Sequence, residues 1–128
     1  MINFYIGSQE WELDFLTTQE MTDIIGNGKE VDLDGAVFLG LTSSVDSKIW
    51  LNKEYPLKMA TTLNHELMHA CIATYQLSKS FDTNKKCYSE EDICNFTEVL
   101  GDEYARLLRE LKEHVKEYKN AIQEDKKR

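Results

Sequence analysis

No apolar run in the 128 residues approaches the roughly 20 that a membrane-spanning helix needs, so no contact with a membrane is expected. The opening Met1-Ile2-Asn3-Phe4-Tyr5 lacks the basic and apolar regions of a secretory signal, and a cytoplasmic location is expected. Cysteine is scarce and odd in number. Cys71, Cys87 and Cys94 form neither a Cys-x-x-Cys pair nor a disulfide framework, and read as free thiols. Positive charge is also short, with a net balance of −8. Residues 1–105 carry 7 Lys/Arg against 18 Asp/Glu, a balance of −11; residues 106–128 carry 8 against 5, or +3. That acidic body excludes the cationic footprint of a direct nucleic-acid binder. The mixed-sign tail reads as the solvated face of a helix.

Against these absences, hydrophobic residues make up 41% of the chain, enough for a modest core, and the length fits one domain spanning 1–128. Histidine occurs three times, and two of the three fall in Thr62-Leu63-Asn64-His65-Glu66-Leu67-Met68-His69-Ala70. Residues four apart share a helix face, so two imidazoles at 65 and 69 can grip one metal ion at Zn–N distances of ~2.0–2.1 Å. Glu66 projects from a neighbouring part of the same helix. It can act as a general base on a water beside the metal without being a ligand. Leu63, Leu67, Ala70 and Cys71 place the two histidines at the margin of a buried face, where a cleft can form.

The surrounding elements follow from periodicity. Residues 2–6 and 10–16 read as strands around a turn at Gly7-Ser8-Gln9, with Trp11, Leu13 and Phe15 alternating with acids. Residues 17–25 suit a short helix with Thr18 as N-cap, closed by Gly26-Asn27-Gly28. The apolar run 36–42 reads as a central strand, and 48–52 as its returning partner. This hairpin precedes the motif helix, and it is either scaffold or a strand edge on which an extended peptide could dock. Pro56, the single proline, marks the first turn of a helix running to about Gln76. Ser89 begins a second, long helix with apolar residues at 93, 96, 100, 104, 107, 111, 115, 118 and 122. Gly101 is its weak point, and fraying is expected over about 119–128.

Two histidines leave a catalytic zinc site one protein ligand short. His114 lies far down the second helix on a charged stretch. Glu91, in that helix's first turn, is the third ligand expected, with Glu90 as the alternative. Asn95, Glu98 and Asp102 share the Glu91 face and could support the ligands, although that face lies opposite the stripe that begins at Ile93. Tyr88 and Tyr104 are candidates, by location alone, for steadying an oxyanion.

The hairpin Gly40-Leu41-Thr42 … Ile49-Trp50-Leu51, the His65–Ala70 core and Glu90-Glu91-Asp92-Ile93-Cys94-Asn95-Phe96 together resemble the small phage and mobile-element zinc metallopeptidases of the ImmA/IrrE type. The likeness covers roughly residues 36–108 and has no attached helix-turn-helix. The resemblance implies an α+β, minimal zincin-like fold: a small, mostly antiparallel sheet packed on an active-site helix and a long C-terminal helix. It implies Zn2+ held by His65, His69 and Glu91, with Glu66 as base. It also implies cleavage of a specific regulatory protein. One departure is visible: the Ala-Asn-x-Phe-Ala run common after the glutamate reads Ile93-Cys94-Asn95-Phe96-Thr97 here, which leaves the third ligand open by one position. The competing expectations are a zincin-fold module that sequesters a regulator without turnover, and a closed structural zinc site completed by Cys87 or Cys94.

Overall fold

The computed structural model describes residues 1–27, 37–75 and 90–126, apart from the side chains of residues 90, 92 and 93. Within them the architecture is α+β, a four-stranded mixed sheet with helices. Strands β1 (Ile2–Ile6) and β2 (Gln9–Leu16) pair antiparallel. The turn between them has Gly7 at φ +59°, the glycine-first pattern of a tight hairpin turn. Trp11, Leu13 and Phe15 point into the core while the acids between them face outward, as the alternation in β2 requires.

Helix α1 (Thr18–Gly26) follows. Its N-cap is Thr17 rather than Thr18. The Thr17 hydroxyl accepts from the Glu20 N–H, and the Glu20 carboxylate accepts in return from the Thr17 N–H, which completes a capping box. Asn27 closes the helix in the left-handed region at φ 48°.

Strands β3 (Gly40–Ser43) and β4 (Lys48–Asn52) form the expected hairpin, but their places in the sheet are exchanged relative to expectation. The order is β1-β2-β4-β3. The strand buried at the centre is β4, which runs parallel to β2, whereas β3 is short and lies at the edge. An apolar run reports burial and not neighbours: of residues 37–39, Leu39 still accepts from the Asn52 N–H at the end of β4, at 2.9 Å, but the strand itself begins only at Gly40.

Asn52 explains where that approach segment goes. It is 1% exposed, and its Nδ2 donates to the Phe38 carbonyl at 2.9 Å and to Thr18 Oγ1 at 2.9 Å. Its Oδ1 accepts from the Glu54 N–H at 3.0 Å. One buried amide thus ties the entry to β3, the exit of β4 and the start of α1.

A single 3-10 turn, Pro56–Lys58, leads into α2 (Met59–Thr74), which carries the motif. Proline stands at the first position of this turn, where its missing N–H costs nothing. The long helix α3 runs from Glu90 to Lys126, about 55 Å at 1.5 Å per residue. Its stripe behaves as the periodicity requires. Leu100, Leu107, Leu111 and Val115 are buried, and Phe96, Tyr104 and Tyr118 pack against the same core. That core joins them to Ile6, Trp11, Leu13, Ile49, Leu51, Leu63 and Leu67.

Two further contacts fix α2 and α3 on the sheet. Trp11 Nε1 donates to Thr74 Oγ1 at 2.9 Å, and the Phe15 and Tyr118 rings stack with centroids 3.9 Å apart. A third joins both helices to the β1–β2 turn: the Glu103 carboxylate accepts from the Gly7 N–H at 2.7 Å and from the Tyr75 hydroxyl.

Candidate metal centre

Helix α2 presents one face to the core through Met59, Leu63, Leu67, Ala70 and Cys71, all at most 1% exposed. The helical repeat turns His65 and His69 out of that face, and both are exposed. Their Nε2 atoms face each other at 3.0 Å, with ring centroids 4.7 Å apart and planes at 74°. Without a cation, that distance suits one Nε2–H donating to the other Nε2. Two Zn–N bonds of ~2.0–2.1 Å at a tetrahedral angle hold their nitrogens roughly 3.3 Å apart. A small rotation of either ring covers the difference, so the donor pair fits a zinc ion.

Glu66 lies between this pair and the sheet. It is the buried carboxylate among the described residues, 7% exposed. A buried charge needs a partner, and β3 supplies one: the Thr42 hydroxyl donates to Glu66 Oε2. The same hydroxyl oxygen lies 3.1 Å from the Glu66 carbonyl.

Two residues earlier on β3, Gly40 gives the carboxylate its room. A Cβ at position 40 would stand 2.5 Å from Thr62 Cγ2 and 2.9 Å from Glu66 Cγ, closer than such atoms approach. The need here is for space, since φ at Gly40 is not positive.

A groove of about 710 Å³ opens beside these groups, between the β3 edge and α2. Its walls include Phe38, Thr42, His65, Glu66 and His69. It continues past His65 towards Lys58 and Thr61 as a second hollow of about 490 Å³. On its other side Met68 and Ile72 also border an apolar hollow of about 470 Å³ completed by Phe96, Leu100 and Tyr104 of α3.

The other expected site residues fall as follows. Glu91 is exposed at the start of α3, and Asn95, Glu98 and Asp102 on its face are exposed too. Among the described residues, no group of three His, Cys, Asp or Glu side chains is gathered as a metal site. The structure therefore brings His65, His69 and Glu66 to one groove and does not gather Glu91 with them. The Glu90 side chain, Cys87, Tyr88 and Ser89 lie outside the described residues.

His114 borders a different hollow, with Ile2, Asp14, Phe15 and Tyr118. Tyr104 uses its hydroxyl proton on the Asn64 carbonyl, at 2.9 Å, so that proton is committed to joining α3 to α2. Cys94 is an exposed free thiol, while Cys71 is buried, which pushes its thiol up to about 12 with help from the charge of Glu103.

Sequence reasoning missed the roles of Thr42 and Gly40. Their spacing of two on one strand was the available signal, since it places both on the same face.

No known protein family, curated protein or solved structure matches the chain.

Proposed function

We propose that this protein is a zinc-dependent metallopeptidase of the ImmA/IrrE-like kind, cleaving a specific protein substrate such as a phage or mobile-element regulator in the cytoplasm. The observation that carries the reading is the pair of facing imidazole nitrogens, 3.0 Å apart, in the same groove as the buried Glu66 carboxylate. His65 and His69 would hold the ion, with Glu91 as the third ligand and Glu90 as its neighbour in contention. When bound, Zn2+ acts as a Lewis acid that lowers the pKa of water and polarises a carbonyl.

The chain's own residues do the rest. Glu66 accepts a proton from the attacking water and returns it to the leaving amine. β3, the edge strand among the described residues, offers backbone N–H and C=O groups on which an extended peptide can lie beside the histidines. The groove is open and narrow in its chemistry, with few charged groups on its walls, which suits an unfolded segment of a protein.

Metal analysis tests the first half. We expect a zinc-to-protein ratio near one, lost in His65→Ala, His69→Ala and Glu91→Ala. Loss with Glu90→Ala instead moves the third ligand by one residue, and a wild-type protein that takes up no zinc overturns the reading. Glu66→Gln tests the second half, because it should keep the metal and abolish cleavage. Stoichiometric capture of a partner by the zinc-loaded wild type, with no fragments, would replace the peptidase by the sequestering module.

A further inference from the structure

We propose that Gly40 and Thr42 form a cradle in β3 that sets the orientation of the Glu66 carboxylate, with Thr42 as a positioning residue for proton transfer. The proposal rests on the reading of Glu66 as the proton acceptor. Three observations carry it. Positions 40 and 42 share one face of β3, and that face meets α2 at Glu66. At position 40 the strand carries no side chain, and a Cβ there would occupy the space of Glu66 Cγ and Cδ, at 2.9 and 3.3 Å. At position 42 it carries a hydroxyl whose single proton has two acceptors in reach, both on Glu66; the shorter approach is to Oε2.

The consequence is chemical. A glutamate on a helix has three rotatable side-chain bonds and would otherwise sample several rotamers. Here steric room at one strand position and a hydrogen bond at the next same-face position select one of them. Oε2 is engaged by Thr42, which leaves Oε1 for the transferred proton. Threonine suits the task better than serine alone would suggest, because its branched Cβ restricts χ1 in a strand and so aims the hydroxyl.

Two variants and one measurement on the unaltered protein test this by NMR, without metal or substrate. In the wild type the two Glu66 γ-protons should be inequivalent and show the couplings of one rotamer. Thr42→Ser should retain that signature. Thr42→Val, similar in shape but without the donor, should lose it and give averaged couplings, with a thermal melt showing that the fold persists. A Thr42→Val protein whose Glu66 signals match the wild type would reduce Thr42 to a structural role and overturn the proposal.

Should Thr42→Val not fold, the wild-type Thr42 hydroxyl proton decides. We expect it to exchange slowly and to show a cross-relaxation peak to the Glu66 γ-protons, and absence of that peak also overturns the cradle. None of these signals depends on turnover. A Glu66→Gln variant that still cleaves would remove the base while leaving the cradle standing, so the two failures are distinguishable.

Discussion

Glu103 shows how much one side chain can hold. Its carboxylate accepts from the backbone at Gly7 and from the Tyr75 hydroxyl, and its charge acts on Cys71. Donating to a carboxylate holds the Tyr75 phenol up at about 12, and burial holds the Cys71 thiol at about the same value. Both groups therefore keep their protons in the folded state over a range where the unfolded chain loses them. This contribution is complete below the ordinary values of about 9 and 10 and is lost as pH rises through about 12. Denaturant titrations should show stability falling across that alkaline window. The fall should be shallower in a Cys71→Ala, Tyr75→Phe double variant.

Asn52 makes the second residue-scale case. Removing its amide in Asn52→Ala leaves the Phe38 carbonyl and the Glu54 N–H without their partner. A loss of about 2–4 kcal/mol in unfolding free energy is expected, from two or three part-buried hydrogen bonds. Neither Asn52 nor Glu103 stood out in the sequence. Their partners lie far along the chain, and nothing local marks an amide or a carboxylate as shared by three segments.

At the scale of elements, periodicity carried most of what was legible. The alternation in β2 and the 3.6-residue stripe of α3 report which face is turned inward, and among the described residues burial or part-burial follows them. The pairing of His65 with His69 was legible for the same reason, being a helical repeat. What could not be read was adjacency: which strand would lie at the edge, and what would meet Glu66. The contact from Thr42 to Glu66 spans 24 positions and depends on how α2 lies over β3.

The helix cap was a nearer miss, since Thr17 and Glu20 already showed the capping-box spacing that Thr18 lacks. Thr17→Ala should therefore cost about 1 kcal/mol, and Thr18→Ala less at the cap itself. Gly101 provides the opposite test. It lies within continuous α3, and among the described residues a Cβ there would meet Thr97 Cγ2 alone, at an ordinary 3.6 Å. Gly101→Ala should raise the melting temperature, with a gain of roughly 1 kcal/mol from helix propensity alone.

For the whole molecule, the residues proposed for the site lie on three separate elements. The histidines and Glu66 are on α2, the cradle is on β3, and the proposed third ligand is on α3. Bringing such parts together costs chain entropy, so a cation that bridges them stabilises the folded state by mass action. At a free zinc concentration 100 times the dissociation constant the gain is about 2.7 kcal/mol. Thermal unfolding should move upward with added zinc in the wild type and not in His65→Ala. No helix among the described residues is long and apolar enough to cross a membrane.

The insertion of β4 between β2 and β3 has a consequence for how the protein comes into being. Parallel pairing of β2 with β4 joins positions as distant as Glu12 and Lys48, so this seam closes only after the intervening chain has been organised. The amino-terminal hairpin thus supports β3, the groove's wall, only through β4. Clipping the first sixteen residues from the finished protein would be expected to disturb the groove through β4, although none of its described lining residues lies among them.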